Sequence, residues 1–69
     1  MSKKFKITAK MNNLWAVEQL VAKVNTDKRL KLEIKDDWTV YVYGEGQKGL
    51  LEEAKKMITS CYGYVDATE

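Results

Sequence analysis

Several residues in this chain have the types and spacing that chemistry would need. Gly44-Glu45-Gly46-Gln47-Lys48-Gly49 has G-x-G-x-x-G spacing, and Asp66 lies 22 positions beyond Gly44. In such a run, glycines let backbone N–H groups close on a pyrophosphate at a helix N-terminus. Cys61 is the one thiol, and Asp36-Asp37 and Glu52-Glu53 are the adjacent carboxylates that acid–base work would draw on. A third kind of chemistry, stacking on rings and neutralising phosphates, belongs to Tyr41 and Tyr43 with Lys4, Lys6, Lys10, Lys31 and Lys35.

Context removes most of these. The glycine run works at the switch point of a parallel sheet built from several strand–helix–strand units, and 69 residues leave too little chain to enclose a dinucleotide. It reads as a strand-to-helix turn, with Gly49 as the N-cap, Glu52 at the third helical position, and loose anion binding helped by Lys48 as its residual chemistry. Cys61 has no histidine to activate it, because the chain contains none. At the C-terminal end of an apolar helical stripe, where the dipole disfavours a thiolate, it reads as a small buried hydrophobe. Asp36-Asp37 falls in a loop, and Glu52-Glu53 in the first turn of a helix, where the positive end of the dipole favours carboxylates. No catalytic residue, metal-ligand set or cofactor is expected, so the protein is read as a non-enzyme.

The elements that must position the remaining residues follow from periodicity. Lys3 to Lys10 alternates, with Phe5, Ile7 and Ala9 on one side and Lys4, Lys6, Thr8 and Lys10 on the other, which predicts a strand. Met11-Asn12-Asn13 breaks that pattern, and either asparagine can cap a helix running from Leu14 to Val24. Its apolar face is Leu14, Val17, Leu20, Val21 and Val24. Asn25 to Arg29 is polar turn material. Leu30 to Tyr43 then reads as a hairpin broken at Asp36-Asp37. Leu50 to Cys61 predicts a second helix with Leu50, Leu51, Ala54, Met57, Ile58 and Cys61 in one stripe. Gly63 is placed as the left-handed residue beyond it, and Tyr64 to Thr68 is a weak fourth strand. The order βαββαβ folds most simply as an α+β, ferredoxin-like split βαβ: one antiparallel sheet, both helices on one face, first and third strands central.

The hairpin allows two registers. A two-residue Asp36-Asp37 turn would pair Ile34 with Thr39 and turn Tyr41 and Tyr43 inward. A wider loop from Lys35 to Thr39 pairs Ile34 with Val40, burying Val40 and Val42 beside Leu32 and Ile34. Tight turns need positive φ at both central residues and favour Asn-Gly or Asp-Gly, so Asp-Asp selects the wider loop.

In that register the uncovered face of the sheet carries Lys4, Lys6, Lys10, Lys31, Lys35, Tyr41 and Tyr43 against one carboxylate, Glu33. This suits a small binding module for single-stranded nucleic acid or RNA, with rings for bases and ammonium groups for phosphates. Tyr41 and Tyr43, two apart on the third strand, are spaced like the aromatic pair of RNA-recognition motifs. No Lys/Arg-Gly precedes them, and the first strand turns lysines outward where that family stacks a ring, so the family is not assigned. The alternative is a regulatory protein-interaction or inhibitor module. It would use Trp15, on the polar side of the first helix, and the sheet edge from Leu30 to Lys35, onto which a partner strand could add.

Composition sets the outer bounds. Sixty-nine residues make a single small domain, near the lower limit of what folds without staples, for which a homodimer would add buried surface. Twelve Lys and Arg against ten Asp and Glu leave a net charge of +2, and Arg29 is the only arginine, so bidentate base reading is not expected. One cysteine excludes an internal disulfide and fits a reducing compartment. No apolar run approaches the ~18 residues of a membrane span, and the basic N-terminus lacks the apolar core of a signal peptide. A cytoplasmic protein, with nucleic acid or a larger protein as partner and no membrane, is expected.

Overall fold

The computed structural model describes residues 3–36 and 38–69, and their side chains except those of Lys3 and Lys48. The Asp37 half of the expected hairpin break, and the anion-binding role read into the Lys48 side chain, lie outside that description. The chain runs β1 (Lys3–Met11), α1 (Leu14–Asn25), β2 (Leu30–Ile34), β3 (Thr39–Gly46), α2 (Lys48–Ser60) and β4 (Gly63–Thr68). The strands form one antiparallel sheet in the order β2-β3-β1-β4, with β1 and β3 central and β2 and β4 at the edges. This is the expected α+β, ferredoxin-like arrangement, with the fourth strand formed.

Both helices pack on one face of the sheet. Ile7, Ala9 and Met11 of β1 and Val40 and Val42 of β3 share a core with Ala16, Val17, Leu20 and Val24 of α1 and Leu50, Ala54, Ile58 and Cys61 next to or on α2. Asn13 caps α1: its side-chain oxygen accepts a hydrogen bond from the Ala16 N–H at 2.8 Å, satisfying one of the helix's free donors. The wider hairpin register is the one adopted, with Ile34 opposite Val40 and Leu32 opposite Val42. Val40 and Val42 are buried, and Tyr41 and Tyr43 lie on the face away from the helices.

Local details depart from expectation for identifiable reasons. β3 continues through Gly46 instead of ending at Tyr43, because Gly44, Glu45 and Gly46 stay paired with Phe5, Lys4 and Lys3. Only Gln47 is left between strand and helix, so it is the N-cap in place of Gly49, and Glu52 and Glu53 fall beyond the first turn of α2. A Cβ on Gly44 would collide with Cζ of Phe5, and one on Gly46 would stand 2.7 Å from Cδ2 of Leu50. These glycines make room for core side chains. The left-handed residue after α2 is Tyr62, with φ of 63°, and not Gly63. Gly63 already belongs to β4, where a Cβ would collide with Sδ of Met11.

Two expected core residues are exposed. Leu14, the first residue of α1, is exposed, and Ala16 takes the place facing the core. Ile34 closes the short edge strand β2 and is likewise open. Met11, expected to break the first strand, ends it with its side chain buried.

Candidate functional site

The uncovered face of the sheet is assembled by cross-strand rows. One row runs Lys31–Tyr43–Lys6, and Lys6 exchanges both backbone hydrogen bonds with Glu69 at 2.9 and 2.8 Å. The next runs Glu33–Tyr41–Thr8–Ala67, and the next Thr39–Lys10–Tyr64. Lys4 and Glu45 pair at one end. Residues directly opposite one another in an antiparallel pair share a face, so the alternation of the sequence brings six of the seven expected residues, Lys4, Lys6, Lys10, Lys31, Tyr41 and Tyr43, to this side, and Lys35, just past β2, joins them over the Tyr41 ring.

The two tyrosine rings lie edge to face with centroids 6.3 Å apart, and both are partly exposed. Lys6 holds its ammonium group 4.1 Å from the Tyr41 centroid and 6.0 Å from that of Tyr43, and Lys35 stands 5.8 Å from Tyr41. Each such cation–π contact contributes about 0.5–1 kcal/mol at an exposed site. The strands place rings and ammonium groups in one layer. One side of Tyr41 is occupied by Lys6.

Four face residues escape the sequence reading: Tyr64, Glu45, Ala67 and Glu69. Glu45 Oε2 lies 3.6 Å from Lys4 Nζ, and Glu69 Oε2 lies 4.0 Å from Lys6 Nζ, so two of the five lysines already have carboxylate neighbours. Lys10, Lys31 and Lys35 have none within 4 Å among the described residues. Tyr64 and Glu69 share a face only because β4 carries an irregularity opposite Thr8 and Ala9, which shifts the register by a residue. Strict alternation could not have shown it. Glu45 was legible in principle, since β3 alternates without interruption from Thr39 to Glu45.

Asp36 shapes the β2–β3 loop beside this face. Its Oδ1 accepts hydrogen bonds from the Trp38 and Thr39 N–H groups at 3.0 and 2.8 Å. Those N–H bonds, first that of Trp38 and then that of Thr39, hold the carboxyl below its ordinary range. Its role is to fold the loop.

Trp15 is exposed as expected, and its ring rests against Tyr62 with centroids 5.6 Å apart. The topology gives this pair company. The end of β1, the start of α1, the end of β2 and the starts of β3 and β4 all lie at one end of the sheet. Backbone bonds tie these segments together, from Met11 N–H to Trp38 at 2.7 Å and from Asn12 N–H to Tyr62 at 3.3 Å. As a result, all the exposed large apolar side chains among the described residues, Leu14, Trp15, Ile34, Trp38, Tyr62 and Tyr64, gather at that end.

Cys61 is a buried free thiol, as its place in the stripe predicts. Among the described residues no cluster of three or more His, Cys, Asp or Glu could hold a metal ion, and no helix is long and apolar enough to cross a membrane. Compared with known protein families, curated proteins and solved structures, the chain finds no match.

Proposed function

We propose that this chain is a small non-catalytic module that binds single-stranded nucleic acid on the open face of its sheet. The observation that supports it is the pairing of Tyr41 and Tyr43 on the face the helices leave uncovered, with Lys10, Lys31 and Lys35 around them and, among the described residues, uncommitted to carboxylates. Stacking a base on an aromatic ring is worth about 1–3 kcal/mol, and a phosphate beside the rings would draw Lys6 off Tyr41 and open its face. A cytoplasmic setting belongs to the same reading, since a lone thiol fits a reducing compartment.

The expected binding is weak, tolerant of sequence and strongly salt-dependent, because lysine contacts with phosphate release counterions. Titrating a fluorescently labelled single-stranded oligonucleotide at two salt concentrations measures this. Absence of binding at low salt would remove the reading, as would unchanged affinity in the Tyr41→Ala, Tyr43→Ala double variant.

A second reading, a protein-interaction or inhibitor module, is favoured by the gathering of exposed aromatic and aliphatic side chains around Trp15. Edge strand β2 adds main-chain groups to which a partner strand could bond. Pull-downs after nuclease treatment separate the two. Partners lost with nuclease belong to the first reading, and partners lost only in Trp15→Ala belong to the second.

A further inference from the structure

At the end of the sheet opposite the exposed aromatic cluster, open-face side chains and the inward Phe5–Gly44 row border a hollow of about 470 Å³. Pockets that enclose small ligands run from about 300 to 1,000 Å³, so the hollow has room for more than an inorganic anion. Tyr43 and Lys31 line one side, from adjacent positions of β3 and β2, and the Lys4–Glu45 pair lines another. Phe5 and Gly44 lie between them, and Lys28 and Arg29 reach in from the turn before β2.

The cations here are not equivalent. Arg29 is committed, donating from Nε to Asp27 Oδ1 at 3.0 Å and from Nη2 to Asp27 Oδ2 at 2.8 Å, with Glu53 a further 3.4 Å contact. Lys28 and Lys31 have no carboxylate within 4 Å among the described residues, and Lys4 has only Glu45, at 3.6 Å. An aromatic ring beside two uncommitted ammonium groups, in a space larger than a phosphate, matches a planar base joined to a phosphate.

We infer that this hollow is a subsite for one phosphorylated nucleotide, with its base against Tyr43 and its phosphate drawn to Lys28, Lys31 and Lys4. The inference rests on the nucleic-acid reading for the strand that would carry the nucleotide. It adds Lys28 to the binding residues and makes Glu45 a brake on affinity, since its carboxylate both occupies Lys4 and repels phosphate. A free mononucleotide and the phosphorylated end of a strand share this chemistry.

Amide NMR titrations of the intact chain test it, with adenosine monophosphate, adenosine, and an oligonucleotide carrying or lacking a 5′-phosphate as probes. Adenosine monophosphate is expected to shift the amides of Lys28, Lys31, Gly44 and Glu45, and adenosine to shift them less. Lys28→Gln should weaken adenosine monophosphate binding about threefold and Glu45→Gln should tighten it by a similar factor, as befits single exposed charge contacts. Lys28→Gln should also flatten the dependence of log K on log salt for the oligonucleotide by about 0.7, one phosphate contact on a single strand. Both side chains are exposed, so far-UV circular dichroism of the variants should match wild type.

Shifts with adenosine monophosphate alone identify a free-nucleotide site, and shifts only with the 5′-phosphorylated oligonucleotide identify a strand-end site. Either supports the subsite. Shifts confined to other amides, or affinities unchanged in both Lys28→Gln and Glu45→Gln, overturn it. Oligonucleotide binding that depends on Tyr41 but ignores Lys28 removes the subsite and leaves the open-face reading standing. Adenosine monophosphate shifts in the hollow without any oligonucleotide binding keep the subsite and remove that reading.

Discussion

Beside Gly44 the space of a Cβ is filled by the Phe5 ring, while around Gly49, outside its chain neighbours and its own helix's backbone, no atom of the described residues lies within 4 Å of where a Cβ would stand. The two belong to one six-residue motif and should respond to alanine with opposite signs. Gly44→Ala forces the Phe5 ring out of its place and should cost about 1–3 kcal/mol, as overpacking does. Gly49→Ala, in the first turn of α2, should stabilise by about 0.5–1 kcal/mol through helix propensity and a less flexible unfolded chain. Urea denaturation of the two variants measures both. Asp27 carries the acid dependence at this scale. Hydrogen bonds from the Arg29 side chain, then from its backbone N–H, lower the carboxyl from its ordinary 3.8 to about 2. Because the folded value lies below the unfolded one, the stability it contributes is present above the unfolded value and is lost as pH falls through the folded value. Asp27→Asn should therefore be less stable than wild type at neutral pH, with the gap closing between pH 3.8 and about 2.

At the scale of elements, the hairpin register decides what the open face carries. The β2–β3 loop is held by its own donors: the Lys35 and Asp36 N–H groups both bond to the Thr39 carbonyl, at 2.9 and 3.2 Å, and Asp36 returns its carboxylate to Trp38 and Thr39. That closure places Val40 and Val42 under the helices. Val42→Thr buries a hydroxyl and should cost about 1–3 kcal/mol, since a buried polar group without a partner is expensive. Tyr43→Thr, on the open face, removes surface contacts with Tyr41 and Lys6 and should cost under about 1 kcal/mol. The opposite register would reverse this order, so thermal denaturation of the pair reads the register directly. The start of α1 is equally local. Asn13→Ala deletes the bond to the Ala16 N–H and should cost about 1 kcal/mol, recovered in large part by Asn13→Ser, another good cap.

For the molecule as a whole, the sheet separates two unlike ends, one apolar and aromatic and the other cationic and hollowed. Trp15 is 54 % exposed and Trp38 48 %, and both lie at the aromatic end. The folded protein should therefore emit close to the wavelength of its unfolded chain, with both indoles open to acrylamide. Unfolding should register clearly by far-UV circular dichroism and only weakly by the position of tryptophan emission. A partner that covers the aromatic end should shift the emission to the blue and protect it from quencher, whereas a strand confined to Tyr41, Tyr43 and the hollow should leave Trp15 quenching unchanged. The same measurement thus reports which end of the molecule a partner uses.

Element order, the inward residues of the central strands, the Asn13 cap and the outward direction of Tyr41 and Tyr43 were all present in the sequence. Alternation, helical spacing and turn chemistry are properties of neighbouring residues, and they set which side of an element faces inward. Tertiary structure alone decided the rest. Leu14 fits the apolar stripe of α1 but stays exposed, and no local pattern records which residues of a stripe find a partner surface. Gly44 reads as part of a phosphate loop until Phe5, thirty-nine positions earlier, is seen to fill its space. The irregularity in β4 lets Tyr64 and Glu69 join a face that strict alternation would divide between them. The hollow draws on β1, β2, β3 and the turn before β2, so its four cations converge only when the strands pair. Periodicity carries the direction of each side chain, but the company it keeps is settled by strand order and register, which depend on contacts between distant parts of the chain.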